Sequence, residues 1–234
     1  MSPALTIIER ETAQRLANLF GFSGAHAGGM TLPGGSASNS TSMIVAKNTL
    51  FPETKLHGNG DKKFVVFTSI HGHYSVEKAA ILLGLGSEAV WQIGVDKQGR
   101  MITTGIYIRL PEAVPVVMLT DEPELEAKVM EAEATGFTPF YVNAGAGTTV
   151  LGSYDGFDEI AEICQRHRLW FHVDGSWGGS VVFSDNHKWR MKGAHRADSL
   201  TVNPHKMLGV PVTCSFLLTG DRRRFHRATS LKAG

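Results

Sequence analysis

Between Ser199 and Leu218 the chain reads "SLTVNPHKMLGVPVTCSFLL", which has the pattern of a strand, a turn and another strand. Lys206 stands inside it, between Pro-His and Met-Leu-Gly. An unpaired ammonium taken out of water there costs on the order of several kcal/mol, so such a lysine is neutralised, paired or chemically modified. The residues on either side decide which.

Moving back from this stretch, buried strands and helices alternate. "KFVVFTS", "AVWQIGV", "PFYVNAG", "LWFHVDG", "SLTVNP" and "TCSFLLTG" read as strands, and "YSVEKAAILLG", "EPELEAKVMEAEATG" and "GFDEIAEICQRHR" as helices. The alternation predicts an α/β domain with a mainly parallel sheet covered by helices on both faces, its last two strands antiparallel. The chain opens on a helix: Ser2 is a candidate cap, Pro3 fits the first position, and Leu5, Ile8, Thr12, Leu16 and Leu19 recur until Gly21. "GGMTLPGGSASNSTSMIVAKN" reads as a Gly/Ser-rich turn that becomes helical from about Ser38.

Composition bounds the function. At 234 residues and 42% hydrophobic content the chain supports a sizeable core. A net charge of +1 without a basic stripe argues against a nucleic-acid or anionic-membrane partner, and Arg222, Arg223 and Arg224 read as a solvated helix face. Cys164 and Cys214 offer neither a disulfide framework nor metal-ligand spacing, so no metal is expected and a reducing cytoplasm fits best. No apolar run approaches the about 20 residues of a membrane span.

In open α/β sheets ligands bind outside the carboxyl ends of the strands. Here those ends carry His71 and His73, Asn143, Thr148 and Thr149, Asp174 and Ser176, and Asn203, His205 and Lys206. "PGGSASN" places the amides of Gly35, Ser36 and Ala37 and the hydroxyls of Ser36 and Ser38 at a helix N-terminus, a site suited to phosphate. Asp174 lies in a run too apolar for a free carboxylate. An ion pair with Lys206 is one answer. The other is a ligand with a cationic ring nitrogen for Asp174, a phosphate for the Gly/Ser turn and an aldehyde for Lys206, and pyridoxal 5'-phosphate has all three. Lys206 would then form a Schiff base, Asp174 keep the ring nitrogen protonated and His73 lie against the ring and shuttle protons. Asn203, His205, Ser36 and Ser38 would hold the phosphate, with Thr149 and Ser176 at the ring edge.

"FHVDGSWGGS", "ADSLTVNPHKMLGVPVTCSFLL", "GGSASN", "HGHYSVEKAA" and "NAGAGTTVLGSYD" together resemble the group II pyridoxal-phosphate-dependent decarboxylases, the family of glutamate and cysteine sulfinate decarboxylases. The resemblance covers nearly the whole chain. It implies the large domain of the type I pyridoxal-phosphate fold, an obligate homodimer, and α-decarboxylation of an acidic amino acid such as glutamate, aspartate or cysteine sulfinate. Lys206, Asp174 and His73 would be catalytic, and Ser36, Ala37, Ser38, Thr149, Ser176, Asn203 and His205 would complete the cofactor site. His71 has no carried-over role and reads as structural.

The sequence departs from that family in three ways. Gly145 stands where threonine is usual, and Gly175 and Ser176 stand where alanines are common. By the resemblance, residues 1–234 are expected to cover the cofactor-binding large domain, without the family's N-terminal segment, C-terminal small domain and substrate-carboxylate arginine. Residues 103–121 read as an insertion, from a gene-model error such as a translated intron or, as the alternative, a genuine surface loop. Two other functions stay open. An aminotransferase or lyase on the same fold is one, although "NPHK" and "HGHYS" speak against it. The other is a non-catalytic cofactor-binding fragment whose bared interfaces favour aggregation.

Overall fold

The computed structural model of the chain describes residues 2–103 and 124–231, with the backbone of 107–108 and 117–118 between them. Its strands in chain order are β1 (Gly28–Leu32), β2 (Phe64–Ser69), β3 (Val90–Ile93), β4 (Tyr107–Ile108), β5 (Val117–Met118), β6 (Thr138–Gly145), β7 (Trp170–Gly175), β8 (Ser199–Val202) and β9 (Ser215–Thr219). Seven of them form one sheet in the order β1-β9-β8-β7-β6-β2-β3, and β4 pairs with β5 alone. From β3 to β8 the pairing is parallel, while β9 is antiparallel to both β8 and β1. The mainly parallel α/β architecture and the antiparallel final pair are as expected.

The helices are α1 (Pro3–Leu19), α2 (Gly35–Leu50), α3 (Thr54–His57), α4 (Ser75–Leu82), α5 (Leu125–Ala134), α6 (Phe157–His167) and α7 (Arg222–Thr229). They divide between the two faces. Ala13 and Leu16 of α1, Val129 of α5 and Ile160 of α6 pack with Val65 and Phe67 of β2. Met43 of α2, Ala79 of α4 and Phe225 of α7 pack with Phe64 and Val66. Successive strand residues point to opposite faces, so covering both buries every residue of β2 and makes it read as a continuous apolar run.

The described residues correct four local expectations. The segment read as a Gly/Ser-rich turn contains the edge strand β1. Its glycines hid it, yet one is required: a Cβ on Gly29 would stand 2.1 Å from the Leu217 carbonyl oxygen of β9. Helix α2 begins at Gly35 rather than about Ser38, which brings Gly35, Ser36 and Ala37 into its first turn. Ser2 makes no side-chain cap bond, and Leu5, Ile8 and Leu19 of the expected stripe are exposed while Ala13, Leu16 and Ala17 are buried. Arg224 leaves the solvated face to bind Asp198 at 2.5 Å and to lie over the Trp170 ring. The expected insertion at 103–121 lies outside the described residues apart from Thr103 and the backbone of β4 and β5.

Strand register sets up the site. Thr68 pairs with Asn143, Gly145 with Asp174 and Asp174 with Thr201, so the polar carboxyl ends of β2, β6, β7 and β8 finish side by side. The N-terminus of α2 arrives beside them because Gly34, at φ +109°, turns the chain sharply into the helix in a conformation that L side chains rarely adopt.

Candidate functional site

These strand ends and the first turn of α2 enclose an open cleft of about 250 Å³. Lys206, Asp174 and His73 line it, together with Ser36, Asn203 and His205 and with the exposed Thr149 and buried Ser176. Ala37 and Ser38 do not. Ser38 is turned onto the sheet, where its hydroxyl lies 2.7 Å from Ser215 Oγ, and Ser215 donates to Asn203 Oδ1 at 2.6 Å. Ser38 is thereby linked through Ser215 to Asn203, a cleft residue.

Lys206 is half-buried, and its neighbours Met207 and Leu208 are each 43% exposed. The apolar letters around it thus belong to a surface turn, held where the Lys206 amide donates to the Asn203 carbonyl. His205 Nδ1 lies 2.6 Å from the Cys214 carbonyl oxygen and pins the far end of the same turn. Among the described residues Lys206 forms no ion pair, so the Lys206–Asp174 bridge is not the answer.

Asp174 is held by neutral donors. Asn39 Nδ2 donates to its Oδ2 at 2.7 Å and the Ser176 amide to its Oδ1 at 3.0 Å. Both oxygens are fixed, and the negative charge has no cationic partner among the described residues. His73 accepts from the Ser75 amide at Nδ1 (3.2 Å), which leaves its proton on Nε2. Burial lowers its pKa from the ordinary imidazole value, against the opposing pull of Asp174 and with a smaller push from Lys206. The ring is neutral at neutral pH.

Two buried polar atoms in the cleft wall lack partners among the described residues: the donor Asn203 Nδ2 and the acceptor Asn143 Oδ1. Unsatisfied buried groups are rare and here point toward a ligand. The cradle also needs its glycine, since a Cβ on Gly35 would stand 2.6 Å from both Asn203 Nδ2 and Ser176 Oγ. No side chain caps α2. An anion at the α2 turn, a cation opposite Asp174 and an electrophile near Lys206 are the complement of this cleft, and pyridoxal phosphate fits all three.

The sequence reading gave no role to Asn39, Tyr74 or Trp177, which line the cleft, and it took His71 as structural where the fold puts His71 in the cleft wall. Asn39 was detectable: it lies one helical turn beyond Gly35 and so shares its face. Among the described residues no group of three or more His, Cys, Asp or Glu is arranged to hold a metal ion, and no helix is long and apolar enough to cross a membrane.

Comparison with known proteins gives a consistent result. The family described as "pyridoxal-dependent decarboxylase conserved domain" matches residues 1–234. An L-aspartate decarboxylase of Metarhizium robertsii is 48% identical over 234 residues, all of this chain and 43% of that protein. A glutamate decarboxylase-like protein of Gibberella zeae is 42% identical over 232 residues, 99% of this chain and 41% of that one. The crystal structure of mouse CSAD superposes with a TM-score of 0.86 at 39% identity, covering 99% of this chain and 45% of that chain. The chain thus spans less than half the length of these relatives.

Proposed function

Because the chain belongs to the pyridoxal-dependent decarboxylase family, we propose that it forms the cofactor site of an enzyme that removes the α-carboxylate of an acidic amino acid. The observation that carries this reading is the unpaired Lys206 in one cleft with Asp174, whose charge also lacks a cationic partner among the described residues. Bound there, pyridoxal phosphate supplies an electron-accepting ring that makes loss of CO2 from the substrate Cα feasible. Asp174 would hold positive charge at the ring nitrogen, and His73 would offer a flat, neutral face. Ser36, Asn203 and His205 would take the phosphate, with Thr149 and Ser176 at the ring edge. Lys206 Nζ would hold the cofactor aldehyde, and its amine would be available in the cleft to hold a proton.

Aspartate, glutamate and cysteine sulfinate are the substrates to test, supported by the names of the fungal relatives. The working form is a homodimer. Tyr74, Trp177, Met207 and Leu208 bring exposed apolar surface to the cleft region, where a second copy would cover it. Free cysteines Cys164 and Cys214 support a reducing cytoplasm. Residues 1–234 are read as one cofactor-binding domain interrupted by an insertion at 103–121, which sequencing of the transcript tests.

The decisive experiment is a visible spectrum with pyridoxal phosphate, followed by borohydride and peptide mapping. A pyridoxyl group on Lys206, absent from Lys206→Ala, together with CO2 release from one of the three substrates, is expected. A label elsewhere, or a label that persists in Lys206→Ala, overturns the assignment.

A further inference from the structure

Behind Asp174 a line of buried polar groups runs away from the cleft under α2. We propose that His172 is a positioning residue for Asp174: its Nε2–H fixes the Asn39 carboxamide so that the amide nitrogen faces the carboxylate. This rests on the reading of Asp174 as the cofactor's charge partner.

The direction of each bond follows from chemistry. Asn39 Nδ2 meets Asp174 Oδ2 at 2.7 Å and Ser75 Oγ at 2.9 Å, which uses both amide protons. Asn39 Oδ1 can only accept, and the atom it meets is His172 Nε2 at 3.1 Å, so that nitrogen carries the proton. His172 is fully buried, and burial lowers its pKa to about 4, so the ring is neutral and Nδ1 must accept. Two hydroxyls stand there, Ser199 Oγ at 2.8 Å and Ser42 Oγ at 3.0 Å; one of them donates to the single lone pair, and the two hydrogen-bond to each other at 2.9 Å. Each is itself supplied from behind, Ser199 by Trp170 Nε1 at 2.8 Å and Ser42 by the Tyr141 hydroxyl at 3.1 Å.

From the hydroxyl at Nδ1 through His172 and Asn39, each successive link therefore donates toward Asp174. Reversing the Asn39 carboxamide would set its oxygen against a carboxylate oxygen and its nitrogen against an N–H. The other charged or titratable groups bearing on His172 are Asp174 on its own strand and Tyr141 on β6, whose ring stacks on it at 5.7 Å. Neither supplies an alternative acceptor at Nε2; the Thr201 hydroxyl also lies near that nitrogen, at a longer 3.4 Å against 3.1 Å for Asn39 Oδ1. Without His172 the amide loses the partner that selects its orientation, and the carboxylate loses a fixed donor.

The test uses the full chain with wild-type, His172→Phe, His172→Gln and Asp174→Asn sequences. Nitrogen-15 NMR of the protein without cofactor reads the His172 proton directly, and it is expected on Nε2 in a neutral ring. Pyridoxal phosphate titration should show His172→Phe weakened about tenfold, the scale of one hydrogen bond to a charged group. His172→Gln keeps an N–H where Nε2 was and should recover most of that loss, a rescue that packing alone does not predict. A proton on Nδ1, unchanged affinity in His172→Phe, or no recovery in His172→Gln overturns the proposal while leaving the cofactor site standing. Unchanged affinity in Asp174→Asn overturns the cofactor reading itself and this proposal with it.

Discussion

Under α1, α5 and α6 the central strands present Val142 and Ala144, Phe171 and Val173, Leu200 and Val202. Under α2 the intervening residues of the same strands are Tyr141 and Asn143, His172 and Asp174, Ser199 and Thr201. Such alternation ordinarily marks a sheet with one face in water. Here both faces are covered, and α2 meets the polar one with Ser38, Asn39 and Ser42, all buried. The dry face has only volume to satisfy. The polar face must also pair its donors and acceptors, and it does so except at the cleft, where Asn143 Oδ1 and Asn203 Nδ2 are left open among the described residues.

If that division is real, changes on the two faces should have opposite signatures. Phe157→Ala, at the start of α6 on the dry face, should cost about 3–5 kcal/mol of stability in urea unfolding. It should leave pyridoxal phosphate affinity of the folded protein within about twofold, since no site group depends on that ring. A large fall in affinity would mean that the dry face also tunes the cleft. Gly35→Ala should do the reverse. A helical alanine gains about 1 kcal/mol over glycine and the crowding costs about 1–3 kcal/mol, so the urea midpoint should fall by less than for Phe157→Ala. The added methyl pushes Ser176 and Asn203 from their places in the cleft wall, and cofactor affinity should drop about tenfold, the scale of one hydrogen bond to a charged group. Equal affinity would show that the α2 turn does not seat the ligand closely.

The same contrast explains what the sequence made legible. The strands β2, β6, β7, β8 and β9 stood out because burial on both faces leaves apolar runs that end in polar turn residues. The convergence of Asp174, His73 and Lys206 followed from strand ends alone, since parallel register brings such ends together. β1 was missed because Gly28 and Gly29 read as turn residues, although close approach to β9 is what Gly29 is for. The start of α2 was missed because Gly35 and Ser36 are weak helix formers and the buried face of that helix is polar, so no apolar stripe announces it. Lys206 was misread as buried because Met207 and Leu208 look like core and are not. The support behind Asp174 was hidden for a further reason: a histidine or serine on a strand shows its role only through partners about 130 residues away, as His172 does with Asn39 and Ser42.

The smallest expected effect separates the faces by pH. His172, on the polar face, has its pKa lowered from 6.5 to about 4 by burial, so the unfolded chain binds the proton more readily. Its contribution to stability is present above about 6.5 and is lost as pH falls through about 4. Asp155, just before α6, has its pKa raised from 3.8 to about 6, because burial outweighs the amides of Met101 and Gly145 that favour its charged form. Its contribution is present below about 3.8 and is lost as pH rises through about 6. The two slopes oppose each other over the same window. Urea midpoints of wild type and His172→Gln, measured from pH 4 to 7, isolate the first, because other titrations cancel in the difference. The variant's disadvantage should shrink steadily as pH falls below about 6.5. A difference that is flat with pH would mean that His172 takes up its proton as readily in the folded protein as in the unfolded chain, and a ring protonated in place has no acceptor at Nδ1 for a hydroxyl behind it.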